Sequence, residues 1–160
     1  ISLYLQTKNT IKQTTITMKR IATLLVALLA ITSLHAEEQP ITFGELPKNA
    51  KIFVLTYFKD IKFKEVYIER RASLTQYEVK LEGGIDLQFD RMGLCTEITC
   101  KNGEIPDIVI PKRILTTIQK NFPDSYIRKY ENNGRMYEIV LDDGTQLTFS
   151  RTLRLVDIED

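Results

Sequence analysis

One short pattern is written twice in this sequence, and that repetition limits the fold more than any other feature. Leu46-Pro47-Lys48 matches Ile110-Pro111-Lys112, and at the same offset Phe58 matches Phe122 and Asp60 matches Asp124. Further along the offset shortens by four residues, so that Tyr77-Glu78-Val79 matches Tyr137-Glu138-Ile139, Gly84 matches Gly144, and Leu87 and Phe89 match Leu147 and Phe149. Such internal similarity marks one supersecondary unit used twice. The extra residues of the first copy are expected in longer strands or a longer first hairpin.

Within each copy the apolar period changes. Ala50, Phe53, Val54, Tyr57, Phe58 and Ile61 recur at spacings of three and four behind Pro47, and Ile114, Leu115, Ile118 and Phe122 do so behind Pro111 until Pro123 intervenes. Each is a one-faced helix opened by proline, and Pro123 stops the second. The period then falls to two. Tyr77, Val79 and Leu81 alternate with polar residues, as do Ile85, Leu87 and Phe89 after Gly83-Gly84; the second copy repeats this around Asp143-Gly144. Half-buried antiparallel hairpins read this way. Flanking strands near 62–70 and 94–100, and near 126–131 and 153–158, complete the units. The predicted fold is α+β: a tandem repeat of two α-β4 units, residues 37–100 and 110–160, each a helix packed on a four-stranded antiparallel sheet, with 101–109 as linker. A unit of about 60 residues buries only about 60% of its unfolded-chain surface, so the two are expected to dock.

The residues before the repeat have a different composition. From Ile1 to Ala36 there are Lys8, Lys12, Lys19 and Arg20 but no Asp or Glu. Met18-Lys19-Arg20, the apolar run Ile21 to Ile31 and the small-residue stretch ending at Ala36 have the layout of a signal peptide over 18–36. The run is shorter than the roughly 20 residues that span a bilayer. Residues 1–17 read as an upstream extension outside the fold. The mature chain from Glu37 is expected in the periplasm or secreted, meeting the membrane only through the signal peptide during export.

That mature segment has 18 basic and 21 acidic side chains, a formal charge of −3. It has no basic run, so nucleic acid is not expected as a partner. The chain's single histidine, His35, lies in the leader. Without imidazole, Ser-His-Asp and Cys-His catalysis and most catalytic zinc sites are excluded. Carboxylate-only hydrolysis would need pairs such as Asp142 and Asp143, or Glu82 and Asp86. These sit where hairpin turns are expected, with Asp and Gly supplying local hydrogen bonds and positive φ. No enzyme, cofactor or metal site is predicted.

Leu-Pro-Lys at a helix start, Tyr-Glu-Val-x-Leu-x-x-Gly, Leu-x-Phe-Asp and Glu-Ile-Thr-Cys followed by Ile-Pro run through Pro40 to Asp160. This tandem pattern resembles the PepSY-like periplasmic proteins of Bacteroides-type bacteria. The resemblance implies a fold similar to that of β-lactamase inhibitor protein, with no catalytic residues to carry over; Cys95 departs from it, standing where members often have an aromatic residue. Fold likeness does not transfer inhibition.

Cys95 and Cys100 are five residues apart, which in an extended strand means about 16 Å and opposite faces, against the 7 Å or less a disulfide needs. Two buried or half-buried thiols are expected. The sheet side away from the helices should carry Glu78, Lys80, Gln88, Glu138, Gln146 and Thr148. These are the candidate binding residues of a non-catalytic module for a protein or peptide of the cell envelope, including an inhibitor. The alternative is a small-ligand or envelope-component binder, which needs an apolar pocket between helix and sheet.

Overall fold

A computed structural model describes residues 37–71 and 74–159; the predicted extension and signal peptide lie outside them. Nine strands appear in chain order: β1 (Glu37–Pro40), β2 (Phe63–Arg71), β3 (Leu74–Leu81), β4 (Ile85–Phe89), β5 (Cys95–Cys100), β6 (Ile127–Asn132), β7 (Met136–Leu141), β8 (Gln146–Ser150) and β9 (Leu155–Glu159). Helix α1 (Lys48–Tyr57) lies between β1 and β2, and α2 (Lys112–Asn121) between β5 and β6. Short 3-10 turns, Phe43–Glu45 and Asp107–Val109, precede the helices.

Both helices begin one residue after their proline; α1 ends at Tyr57, short of the Ile61 to which the periodicity runs, and α2 ends at Asn121, one residue before Phe122. Phe58 closes α1 by donating its N–H to the Val54 carbonyl, and Phe122 closes α2 on Ile118 in the same way. Phe122 itself has left the helix (φ −134°, ψ 60°). The residue before a proline is driven out of the helical region, so Pro123 acts one position earlier than its own.

The two predicted four-stranded sheets are corrected to one. All nine strands form a single antiparallel sheet in the order β1 to β9. The seam is made by β5 and β6, where Glu97 pairs with Glu131, Ile98 with Tyr130 and Thr99 with Lys129. The strand β1, absent from the sequence reading, lies outside the repeat pattern and extends the sheet by pairing with β2 from Glu37↔Arg70 to Pro40↔Tyr67. The additional residues of the first half lengthen its strands: β2 and β3 have nine and eight residues, against six each for β6 and β7.

One face of the sheet is covered. Val79, Leu81, Leu87 and Phe89 from the first half, and Ile139, Leu141, Leu147 and Phe149 from the second, join Ala50, Val54, Ile114 and Ile118 of the helices in one buried core cluster. Each fully buried side chain of this size stabilises the fold by about 1.5–3 kcal/mol. Phe53 meets Phe89 edge to face, ring centroids 5.7 Å apart, fixing α1 over β4.

Cys95 and Cys100 are free thiols. A bulge at the β4–β5 pairing sets Cys95 opposite Phe89 and Cys100 opposite Ile85, so both thiols take the covered face, not opposite faces as expected from simple alternation. Burial pushes the Cys95 thiol up to about 12. The native chain should therefore resist a thiol reagent near pH 8 and yield both thiols only in denaturant; rapid native modification would contradict this burial.

The turns after β4 and β8 share one geometry. Gly93 donates its N–H to Asp90 and Leu153 donates to Ser150, with φ of 78° and 60°. Leu153 shows that this left-handed position tolerates a side chain. At Gly93, however, an added Cβ would lie 2.7 Å from the Ala50 backbone nitrogen and 2.8 Å from Pro47 Cβ, whereas at Gly83 (φ 84°) it would meet nothing within 4 Å. Gly83→Ala should cost about 1 kcal/mol from φ alone, and Gly93→Ala about 3 kcal/mol or more because backbone must move as well. Denaturant unfolding of the two variants measures the difference, and equal losses would refute the close approach.

Candidate functional site

Because side chains alternate along a strand, covering one face leaves the other to polar residues. The register aligns them in rows. One row crosses the sheet through Tyr67, Glu78, Gln88, Glu97, Glu131, Glu138, Thr148 and Asp157. A second runs through Glu65, Lys80, Asp86, Thr99, Lys129, Val140, Gln146 and Glu159. All six candidate residues named from the sequence lie on these rows: Glu78, Gln88, Glu138 and Thr148 on the first, Lys80 and Gln146 on the second. The β5–β6 pairing places them on one continuous surface.

That surface is acidic. The first row carries five carboxylates and no cation; in the second, Lys80 and Lys129 stand among Glu65, Asp86 and Glu159. Lys129 sits at the seam, its Nζ 3.0 Å from Glu97 Oε2 and 2.8 Å from Glu131 Oε2. Burial by itself would lower the Lys129 pKa, but the hydrogen bonds the ammonium donates to Glu131 and Glu97 outweigh it and its pKa is raised. Lys80 lies 4.9 Å from the centre of the Tyr67 ring and 3.6 Å from Glu78. Glu97, Lys129 and Glu131 were missed by sequence reasoning. Their period-two alternation is visible, but only the seam pairing shows that they share a surface with the six.

Three of the carboxylates considered for catalysis, Asp142, Asp143 and Asp86, have structural partners. Asp142 accepts a hydrogen bond from the Tyr126 N–H at 3.0 Å, and Asp143 one from the Thr145 N–H at 2.9 Å. The Thr145 backbone bond holds Asp143 below its ordinary pKa. Asp86 pairs with Lys101 at 2.8 Å. Among the described residues no group of three or more His, Cys, Asp or Glu is placed to hold a metal ion. Depressions that reach the open face have mainly polar linings: one of about 250 Å³ is lined by Lys129, Glu138, Gln146, Thr148 and Glu159, among others, and one of about 590 Å³ by Glu65, Lys80, Asp86 and Lys101, among others.

Glu78 has its pKa raised, first by burial and further by Asp86 and Glu38, with Lys80 pulling it back. A carboxyl whose folded pKa lies above its unfolded value favours the fold below the unfolded value and loses that contribution as pH rises through the folded one. Glu78→Gln should therefore raise the melting temperature at neutral pH, with the gain vanishing below the ordinary value of 4.5. Thermal melts across pH measure it; a loss of stability at neutral pH would show that the Lys80 contact dominates.

Comparison with known proteins agrees with this architecture. A family model described as "Putative beta-lactamase-inhibitor-like, PepSY-like" matches residues 33–95 and again 75–157. Among solved structures, a "putative periplasmic protein" of Bacteroides vulgatus is 31% identical with a TM-score of 0.74, over 78% of this chain and 98% of that one. A "putative calcium-regulated periplasmic protein" of Bacteroides thetaiotaomicron is 30% identical with a TM-score of 0.75, over 77% and 97%. A second Bacteroides vulgatus periplasmic protein, of unknown function, is 28% identical with a TM-score of 0.72, over 78% and 100%. No curated protein matches the sequence. With two matches that together span most of the chain, on a sheet and helices like those of its solved neighbours, this chain belongs to the PepSY-like family.

Proposed function

We propose that this chain is an exported, non-catalytic binding module that holds a protein or peptide of the cell envelope through the open face of its sheet. The observation that carries this reading is a broad, continuous polar face left bare while the helices pack on the opposite face. Its site residues are Glu78, Lys80, Gln88, Glu138, Gln146 and Thr148, joined by Glu97, Lys129 and Glu131. The two halves are read as copies of one α-β4 unit, fused edge to edge so that both contribute to one surface. Cleavage near Ala36 would release the module into the periplasm, where the solved neighbours are described. Inhibition of an envelope enzyme is one form such binding takes.

Two other readings are weaker on physical grounds. A small-ligand binder needs an apolar cavity between helices and sheet, yet that layer is filled by Phe58, Phe89, Phe149 and Ile114, each at most 1% exposed. A carboxylate hydrolase needs a free acid and base, whereas Glu97 and Glu131, the opposed pair at the seam, both engage Lys129. Calcium regulation, named for one solved neighbour, is not extended to this chain, because its described residues offer no cluster of ligands.

The test is site-specific photo-crosslinking in the parent envelope, with the reactive group at Gln88 or Thr148 on the open face, or at Thr116 on the outside of α2. A partner captured from Gln88 and Thr148 but not from Thr116, and lost in a Glu78→Lys, Lys80→Glu, Glu138→Lys variant, supports the reading. Capture only from Thr116 would sink it.

A further inference from the structure

The two edges of the sheet are not equivalent. At one, β1 is four residues long and ends in Pro40, which has no N–H to offer a further strand. At the other, β9 is the sequence Leu-Val-Asp-Ile-Glu, without proline, lysine or arginine, and no described strand pairs with its outer side. Its main-chain donors and acceptors on that side form a template for one more strand.

The side chains of β9 say what kind of strand. Ile158 pairs with Leu147 and so belongs to the helix side of the sheet, yet it is 49% exposed; Leu155, opposite Phe149, lies on the same side, and Val156, unpaired at the bulge between them, is 54% exposed. The apolar side therefore continues past the cover that the helices provide. On the open side, Asp157 pairs with Thr148 and Glu159 with Gln146, ending the two acidic rows. A strand laid against β9 would meet apolar side chains on one face and carboxylates on the other.

A second copy of this chain fits this edge poorly. Pairing β9 with itself about a two-fold axis sets Asp157 and Glu159 of one copy against the same carboxylates of the other, and like charges opposite one another across a strand pair are destabilising. We propose that the β9 edge docks an extended peptide segment in which Lys or Arg alternates with β-branched or other apolar residues. The segment adds a tenth strand, its cations beside Asp157 and Glu159 and its apolar side chains beside Leu155 and Ile158. This edge adjoins the face residues Gln146 and Thr148, but the inference rests on main-chain pairing along the outer side of β9, which can fail without the face reading and the reverse.

The test uses the whole mature chain and two synthetic peptides, one alternating Lys with Val and Ile and the other alternating Glu with them, with hydrogen exchange and fluorescence anisotropy as readouts. The Lys peptide should bind and slow exchange in β9, while the Glu peptide should not. An Asp157→Lys, Glu159→Lys variant with an unchanged melting curve should weaken the Lys peptide by about ten-fold and gain the Glu peptide. Methylating alternate backbone nitrogens of the Lys peptide should abolish binding while keeping its charge. The proposal is overturned if the Lys peptide does not bind, if protection appears on β3, β4 and β7 but not β9, or if charge reversal leaves affinity unchanged. It is equally overturned if the free chain dimerises with concentration-dependent protection of β9.

Discussion

Three residue pairs between β5 and β6 decide what this molecule is. Glu97↔Glu131, Ile98↔Tyr130 and Thr99↔Lys129 turn two half-sheets into one. The pairing sets two carboxylates opposite each other, an arrangement that destabilises an antiparallel pair unless something intervenes. Lys129 intervenes, within hydrogen-bonding distance of both acids. The pair beneath it, Ile98 and Tyr130, is buried in the common core. The seam thus combines a charged upper layer with an apolar lower one. All larger properties of the molecule, including the continuous core and the unbroken polar face, depend on that combination.

The asymmetry of the two faces follows from an economy of helices. With two helices among the described residues, each covering part of one side, the sheet buries a single face, and its sequence alternates accordingly. The chain from Glu37 onward is close to neutral overall, but the open face gathers carboxylates, while cations such as Lys48, Lys51, Lys112 and Arg113 lie on or beside the helices. Net charge alone therefore understates the field at the open face. A partner approaching it meets a locally negative surface that the formal charge of the whole does not reveal.

Much of this architecture is legible in the sequence because it is local. The helices follow from apolar residues three and four apart behind Pro47 and Pro111, and the hairpins from alternation around Gly83-Gly84 and Asp143-Gly144. The six candidate face residues follow from that same alternation. What the sequence does not disclose is non-local. The pairing of Glu97 with Glu131 joins segments separated by a helix, and no periodicity in either strand encodes it. Strand β1 is four residues ending in proline, too short for a pattern. The bulge that carries Cys95 to the covered face breaks the alternation from which its side would be inferred. Each of these is a choice of register or partner, settled by packing and not by propensity.

The strand order, β1 through β9 without a single crossover, bears on how the chain reaches its structure. Every strand pairs only with those before and after it in the chain, so most pairings close short loops and carry a small entropic cost. The two longer closures are those that enclose α1 and α2, between β1 and β2 and between β5 and β6. Within each half the hairpin pairings are local in the chain, and the seam joins strands separated by α2. A chain organised this way has a low contact order for a β-rich protein and is suited to fold quickly, by local steps, wherever it is first free to do so.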